Sequence, residues 1–526
     1  MDHSTTEPLK ADIELTPGKR NLVLAGLAIM VMTVTMSGQG VTVNLSQILG
    51  KFNSTHLYAL LTMLGGLGTL LVTPFAGKLG DLIGRRNIAL MAAISVLVMT
   101  IGMAWGAATN VWIFVAFRMG LGIATGMITG GLFAIIPEIF PRDKTAIGFA
   151  VCMAAIALGS LIGGVVSGAL GDAHLITTAI LYPAVLTVLG AIPVVLIMPT
   201  LVRPGKKQLD LAGMLFLGLS LITLVYACNF YIELGWGHPY IWGSLVASFI
   251  LMIVFYFYEQ KVPEPLVPFR LFKNMRFTSA ILINVFYTVY MVMIQYYTPL
   301  HAQTVVGTTA AISGLIMMPR VLLMIILPVF IAAWVVKKKG REWKALAIGG
   351  GLIMIAMGTL AVFAQSTPLA LIFFMMGVCG ISDGFWGVTL NSFAQSQLKR
   401  EDLGIGMALV TFMNSEGSVL GAVFLGLVFN ATWKPLSLIP TTLKNVLSPN
   451  QVTSLLQSAT YKFDSTVIQT IRQTLPTDLA GTLDSTVNAI VTQLGTSIGW
   501  LYGVAALCAL IVILLAVFGV RETKKA

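Results

Sequence analysis

The chain has 526 residues, 57% of them hydrophobic and only 10% charged, far below the roughly 25% charged of a soluble domain. A mean hydropathy of +0.89, spread over almost the whole length, marks an integral membrane protein. It excludes a disordered chain, a disulfide scaffold and a soluble enzyme with one anchor. The net charge of +11 does not imply a nucleic-acid partner, because the basic residues fall in short loops between apolar runs. Cys152, Cys228, Cys379 and Cys508 lie inside apolar runs without metal-ligand spacing, which supports neither a disulfide framework nor a metal site. The first 20 residues are polar and mixed in charge, and the run behind them is too long, and lacks a small-residue cleavage site, for a signal peptide.

A membrane-spanning helix needs about 20 apolar residues, and fourteen such runs can be placed, grouped six, two and six. The first six fall at residues 21–43, 57–77, 87–107, 111–136, 146–170 and 176–198. Two follow at 211–231 and 241–258, and the last six at 276–298, 311–335, 344–364, 368–392, 404–430 and 498–520. The expected organisation is a tail 1–20, a six-helix bundle 21–200, two inserted helices 201–260, a second six-helix bundle 261–520 and a tail 521–526. The second bundle contains one long loop, 431–497, on the side away from the termini. Ser448-Pro449 reads there as a helix start, followed by apolar Val452, Leu455 and Leu456, so the loop is expected to form amphipathic surface helices.

An even number of spans puts both termini on one side. With that side cytoplasmic, 25 of the 32 Lys and Arg lie in cytoplasmic segments and five outside, four of those five in the long loop. The positive-inside rule therefore orients both termini toward the cytoplasm. Both tails are short and carry no organelle address.

After the second span comes Gly77-Lys78-Leu79-Gly80-Asp81-Leu82-Ile83-Gly84-Arg85-Arg86. This ordered G-x-L-x-D-x-x-G-R-R resembles the signature loop of the major facilitator superfamily. The resemblance implies that Asp81 and the arginines latch the cytoplasmic ends of helices, with Gly77, Asp81, Gly84, Arg85 and Arg86 as a cytoplasmic gate. Asp81 could accept hydrogen bonds from a helix N-terminus or from arginine. Gly340-Arg341 echoes Gly84-Arg85 in the second half, with Lys337 where the acid would stand. Two related halves follow from this echo. The inserted pair, with Asp210-Leu211-Ala212-Gly213 opening the seventh span and Pro263-Glu264-Pro265-Leu266 after the eighth, is similar to the fourteen-helix drug:proton antiporter branch. In the fifth span, Ala155 to Gly164 is similar to the antiporter motif G-x-x-x-G-P-x-x-G-G. Gly159, Gly163 and Gly164 match, while Ala155 and Ser160 replace a Gly and the Pro. The fold implied is the all-α major facilitator fold with 14 transmembrane helices.

Four ionisable residues lie near the middle of spans: Arg118, Arg320, Asp383 and Glu416. Charges at membrane depth are costly and face cavities or partners. The resemblance implies a cavity lined by helices 1, 2, 4, 5, 9, 10, 12 and 13, and these four fall on helices 4, 10, 12 and 13. Arg118 and Gly122 match the family's R-x-x-x-G element, which implies a part in proton exchange for Arg118. Helical stepping puts Arg118, Gly122, Thr125, Gly126 and Thr129 on one polar stripe. Asp383 lies in a stripe of small residues that suits ion pairing or proton passage. Glu416 lies among Phe412, Met413 and Leu420, where a carboxyl could exchange a proton. That either acid simply pairs with Arg320 or Arg118 stays open.

Substrate is expected to meet Gln39 and Asn44 on helix 1, Asn284, Tyr287 and Gln295 on helix 9, and Arg320, Phe412 and Met413 further on. Gln39 stands where relatives place an acid at the end of helix 1, which moves proton coupling to Asp383 or Glu416. Together these features imply a secondary transporter: a proton-coupled antiporter exporting amphipathic small molecules by alternating access. It would work as a monomer in the bilayer with substrates and protons as partners, and without a cofactor. The alternative is a symporter or uniporter for a specific metabolite or a lipophilic anion. No activated nucleophile, metal cluster or phosphate loop suggests an enzyme.

Overall fold

The structure, a computed structural model, describes residues 15–521 except 53, 55–56, 133–134, 141–144, 200–209, 236, 263–264, 266, 337–339, 400–402, 449–450, 453–454, 456–464 and 477–478. Fourteen long helices carry the fold. They are α1 (Pro17–Lys51), α2 (Tyr58–Ile83), α3 (Arg85–Thr109), α4 (Val111–Met127, prolonged by a π turn Ile128–Leu132), α5 (Thr145–Asp172), α6 (Ile176–Ile197) and α7 (Leu211–Leu234). Then come α8 (Pro239–Glu259), α9 (Met275–Thr304), α10 (Ala310–Leu315 and Met318–Val336), α11 (Glu342–Val362), α12 (Leu369–Ser396), α13 (Leu403–Thr432) and α14 (Ala480–Val520). Thirteen are long and apolar enough to cross a membrane, and in the other, α2, the apolar stretch Leu60–Thr73 is shorter. A helix bonds most of its backbone groups internally, so such segments can sit in hydrocarbon.

Among the described residues, thirteen of the fourteen expected spans coincide with such helices and the second with the shorter apolar stretch of α2, while the start of the last helix differs from expectation. The last helix begins at Ala480 rather than near 498. Residues 480–497 carry Thr482, Asp484, Asn488 and Gln493, which lower their hydropathy, yet Leu483, Ile490 and Leu494 are fully buried on one face. The chain is therefore helical well beyond the apolar run, and the loop after α13 is shorter than 431–497. It has a small core of its own around Ile439, Leu443, Leu455 and Ile471. Ser448 and Gln451 exchange a capping box there: the Ser448 N–H donates to Gln451 Oε1 at 2.9 Å and the Gln451 N–H to Ser448 Oγ at 3.3 Å. Pro449 and Leu456 lie outside the described residues.

The two halves repeat one packing pattern. In the first, α1 packs on α5 and α6, and α2 and α3 pack on α4; in the second, α9 packs on α13 and α14, and α10 and α11 pack on α12. The offset is eight helices, as an inserted pair between two six-helix bundles requires. Glycines make the contacts close. A Cβ on Gly122 of α4 would stand 2.3 Å from the Gly65 carbonyl of α2, and one on Gly417 of α13 would stand 2.2 Å from Thr288 Oγ1 of α9. Lipid tails are as apolar as leucine, so this backbone-level packing, rather than hydrophobic burial, holds such bundles together.

The bundles meet along two seams, α2 against α13 and α5 against α10. The inserted pair covers the first. Gly218 of α7 abuts Leu71 of α2, and the Tyr231 hydroxyl reaches the Leu427 carbonyl of α13 at 3.5 Å. Ser220 and Ser248 join α7 to α8, each hydroxyl donating to the other's carbonyl at 2.9 and 2.8 Å. Asp210 caps α7 by accepting from the Gly213 N–H at 2.8 Å. Pro263, Glu264 and Leu266 lie outside the described residues. On α8, Tyr240, Trp242, Phe249 and Phe257 are exposed, as residues of a lipid-facing outer helix should be.

Candidate functional site

A cavity of about 400 Å³ lies between the bundles, lined from α1, α2, α4, α5, α9, α10 and α13. Gln39, Gln295, Arg118 and Arg320 border it, as do Gly122 and Thr125, so part of the polar stripe expected on α4 faces this space, while Gly126 packs against Thr69 of α2. Thr35, Thr69, Ser160, Tyr296, Asn414 and Ser418 also border it, and helical stepping from the ionisable residues did not single these out. Gln295 and Tyr296 sit in a π turn of α9, Met293–Tyr297, a geometry common at functional positions. A larger, open crevice of about 980 Å³ lies at the loop end between α7 and α13, mostly apolar but bordered by Asn430, Lys434 and Lys444 and by none of the four central charges.

Several residues expected in the cavity spend their polar atoms on packing instead. Asn44 donates from Nδ2 to the Gly40 and Ser167 carbonyls at 2.9 and 2.8 Å, which ties α1 to α5. Asn284 donates to the Val410 carbonyl at 2.9 Å and accepts from Asn414 Nδ2 at 3.2 Å, which ties α9 to α13. Tyr287 stacks on Trp386, ring centroids 3.7 Å apart, and its hydroxyl goes to Asp383. Phe412 is buried in an apolar cluster with Leu67 and Leu221, and Met413 packs against that cluster. In a membrane helix a polar residue satisfies a neighbouring backbone as readily as a ligand, so polarity alone does not mark the cavity face.

The two central acids differ completely. Asp383 is buried on α12; one oxygen accepts from Arg320 Nε at 2.6 Å, the other from the Tyr287 and Tyr290 hydroxyls at 2.6 and 3.2 Å. It is a compensated, fully bonded ion pair. Glu416 is equally buried, but its Oε2 has no hydrogen-bond partner. At about 100° per residue, Glu416 points 100° or more away from Asn414, Ser415 and Ser418, the cavity residues of its helix. Its flanking residues Phe412 and Val419 pack with Leu67 and Leu70 of α2 and Leu217 and Leu221 of α7. Glu416 therefore belongs to the α2–α13 seam and not to the cavity wall.

Arg118 is buried against α2, its Cζ and Nη2 each 3.0 Å from where a Cβ on Gly65 would stand, and its Nε has no partner. Of the two cavity arginines, Arg320 is neutralised by Asp383 and Arg118 is not.

The α5 glycines divide between two neighbours. A Cβ on Gly159 or Gly163 would stand 2.2 Å from the Met32 carbonyl oxygen or 2.5 Å from the Met36 Cα on α1, within the first bundle. Gly164 instead meets Gly314 of α10 across the seam, where a Cβ on Gly314 would stand 2.4 Å from the Gly164 carbonyl carbon. Other contacts at this end join the bundles. Asp172 accepts from the Ala310 and Ala311 N–H groups at 3.1 and 3.0 Å. Gln303 donates to the Val43 carbonyl at 2.9 Å and accepts from Ser46 at 3.0 Å, and the Tyr58 hydroxyl donates to the Tyr296 carbonyl at 2.8 Å.

At the opposite end, where the chain termini lie, Gly84 adopts φ +91° between α2 and α3, a conformation that favours glycine. Arg85 pairs through Nε with buried Glu138 at 2.9 Å, an acid that nothing in the sequence reading marked, and Arg86 is exposed. Gly77 and Asp81 lie on α2, but their surroundings and the Asp81 side chain are outside the described residues. The echo at Gly340 has the same backbone, φ +84°. Arg341 there turns to the Trp334 carbonyl at 2.8 Å and lies over its ring, 5.1 Å from the centroid. Lys337 lies outside the described residues.

Residues 26–422 match the family model of the Major Facilitator Superfamily. The chain belongs to that superfamily. It is 28% identical to the multidrug transporter protein MdtP of Bacillus subtilis over 429 residues, covering 80% of this chain and 78% of the relative. It is 24% identical to multidrug resistance protein 3 of the same organism, covering 77% and 79%. A bacterial homologue of the human lysosomal transporter Spinster, crystallised inward-facing and unoccupied, shares the fold with a TM-score of 0.63 at 14% identity, covering 97% of this chain and all of that one. This superfamily member is a multi-pass membrane transporter resembling multidrug-efflux proteins.

Proposed function

We propose that the protein is a proton-coupled antiporter exporting amphipathic small molecules by alternating access, a monomer in a bacterial plasma membrane with both termini cytoplasmic. The arrangement of bundle contacts supports a state open toward the termini: the hydrogen bonds and the Gly164–Gly314 contact that join the halves gather at the loop end. Export then requires the loop-end contacts to part while the terminal end closes. Arg85 and its neighbours in the signature loop form the cytoplasmic gate of that cycle.

The observation that carries the coupling is Glu416. Burying a carboxylate with an oxygen left unpartnered is costly, and Glu416, whose Oε2 has no partner, lies on a seam between bundles that rock against each other. When the seam is dry the group is held with a proton; when rocking admits water, the proton leaves. Asp383 is suited instead to neutralising Arg320, and Arg118 to facing the substrate. Gln39 favours the second reading, a uniporter or symporter, because an amide on the cavity wall of α1 cannot exchange a proton.

The test uses proteoliposomes with a trapped pH indicator. Adding a transported compound should move protons in wild type and not in Glu416→Gln. Substrate that equilibrates without proton movement in wild type would overturn antiport in favour of facilitated diffusion.

A further inference from the structure

Resting on the reading of this cavity as the substrate site, we infer that it selects amphipathic anions, with the Arg118 guanidinium receiving the negative charge of a carboxylate, sulfonate or phenolate. The charged residues among those described as lining the cavity are Arg118 and Arg320, and no Asp or Glu is among that lining. Arg320 is neutralised by Asp383, whose remaining oxygen is taken by two tyrosine hydroxyls. Glu416 lies on the opposite face of α13 from the cavity. Arg118 therefore remains as an uncompensated positive charge, buried and with an unpartnered Nε.

A guanidinium at membrane depth without a counter-charge is costly, and a bound anion supplies the missing partner through short, charge-assisted hydrogen bonds. Gly65 makes room for it, since any side chain there would meet the guanidinium at 3.0 Å. The rest of the wall fits the apolar body of such a molecule. Met324 offers an adaptable thioether, the Met291 sulfur being taken by Arg320 Nη2 at 2.7 Å, and Gln39, Gln295 and Ser160 offer neutral donors. A lipophilic cation of equal size would face a cavity of like charge.

Pyrene-1-sulfonate and pyren-1-yl-trimethylammonium, which share one aryl body and carry opposite charges, are the probes. Binding is measured on the full chain in nanodiscs, with binding to empty nanodiscs subtracted. Wild type should hold the anion at least about tenfold more tightly, the equivalent of about 1.4 kcal/mol. Arg118→Gln should erase that preference and Arg118→Lys retain most of it. Gln39→Glu, which leaves Arg118 intact, should lower it by supplying a competing carboxylate. Equal or tighter binding of the cation, or a preference that survives Arg118→Gln, overturns the inference. Proton movement evoked by the cation would overturn it and leave antiport standing. Arg118-dependent anion binding without evoked proton movement would leave it standing and overturn antiport.

Discussion

The two seams between the bundles are equivalent by the repeat, α5 against α10 and α2 against α13, but their chemistry is opposite. The α5–α10 seam is closed backbone to backbone, Gly164 on Gly314, and finished by the Asp172 carboxylate on the first N–H groups of α10. The α2–α13 seam is filled with bulky apolar side chains around one carboxyl, Glu416, that lacks a hydrogen-bond partner on Oε2. A glycine seam has one tight geometry and so acts as a stop. A seam holding a buried acid has a free energy that depends on protonation and on water. One seam of the repeat is thus built to fix a closed state, while the other holds the acid to which the proposed antiport assigns the proton.

The sharpest way to break this comparison is to make the stop impossible. Gly314→Val puts atoms where the Gly164 backbone stands, and packed backbones do not yield to a side chain of that size. The loop end should not close, export should be abolished, and a cysteine at Thr35 on the cavity wall should be labelled by a membrane-impermeant maleimide added on the loop side. Unaffected export would remove the stop from the account. Next in size is Asp383→Ala, which strands Arg320 as a buried charge. Thermal unfolding in detergent should reveal a loss of about 3–5 kcal/mol, whereas Glu416→Gln, which strands nothing, should change stability by under about 1 kcal/mol. Equal losses would mean that Glu416 is as structural as Asp383.

Tyr287→Phe removes one of the hydroxyls that hold Asp383 and should cost about 1–2 kcal/mol in the same assay. The smallest effect is expected from Asp172→Ala. Its two hydrogen bonds lie on an exposed carboxylate, so the closed state should lose about 1 kcal/mol or less. Loop-side labelling of the Thr35 cysteine should rise a few-fold and export should persist.

The spans were legible because twenty apolar residues in a row have few other uses, and the repeat was legible in Gly84 and Gly340, both of which adopt positive φ. The start of α14 was not, because a helix above the bilayer is amphipathic and resembles loop in hydropathy. Within the cavity, the α4 stripe was found because Arg118 anchors its phase. On α1 and α9 the expected residues divide: Gln39 and Gln295 border the cavity, whereas Asn44 and Asn284 donate to the Ser167 and Val410 carbonyls. The pairing of Asp383 with Arg320 was an open alternative that the distances decide. The direction in which Glu416 points depends on how α13 is rotated in the bundle, which tertiary packing sets. Glu138 was missed because no pattern ties a lone acid at a helix end to an arginine 53 residues earlier.

The central claim, that Glu416 and not Asp383 carries the coupled proton, is tested most directly by infrared difference spectroscopy of the reconstituted protein on adding a transported compound. The account predicts a protonated-carboxyl C=O band that changes in wild type, persists in Asp383→Asn and is absent in Glu416→Gln. A band that survives Glu416→Gln and vanishes in Asp383→Asn would contradict it.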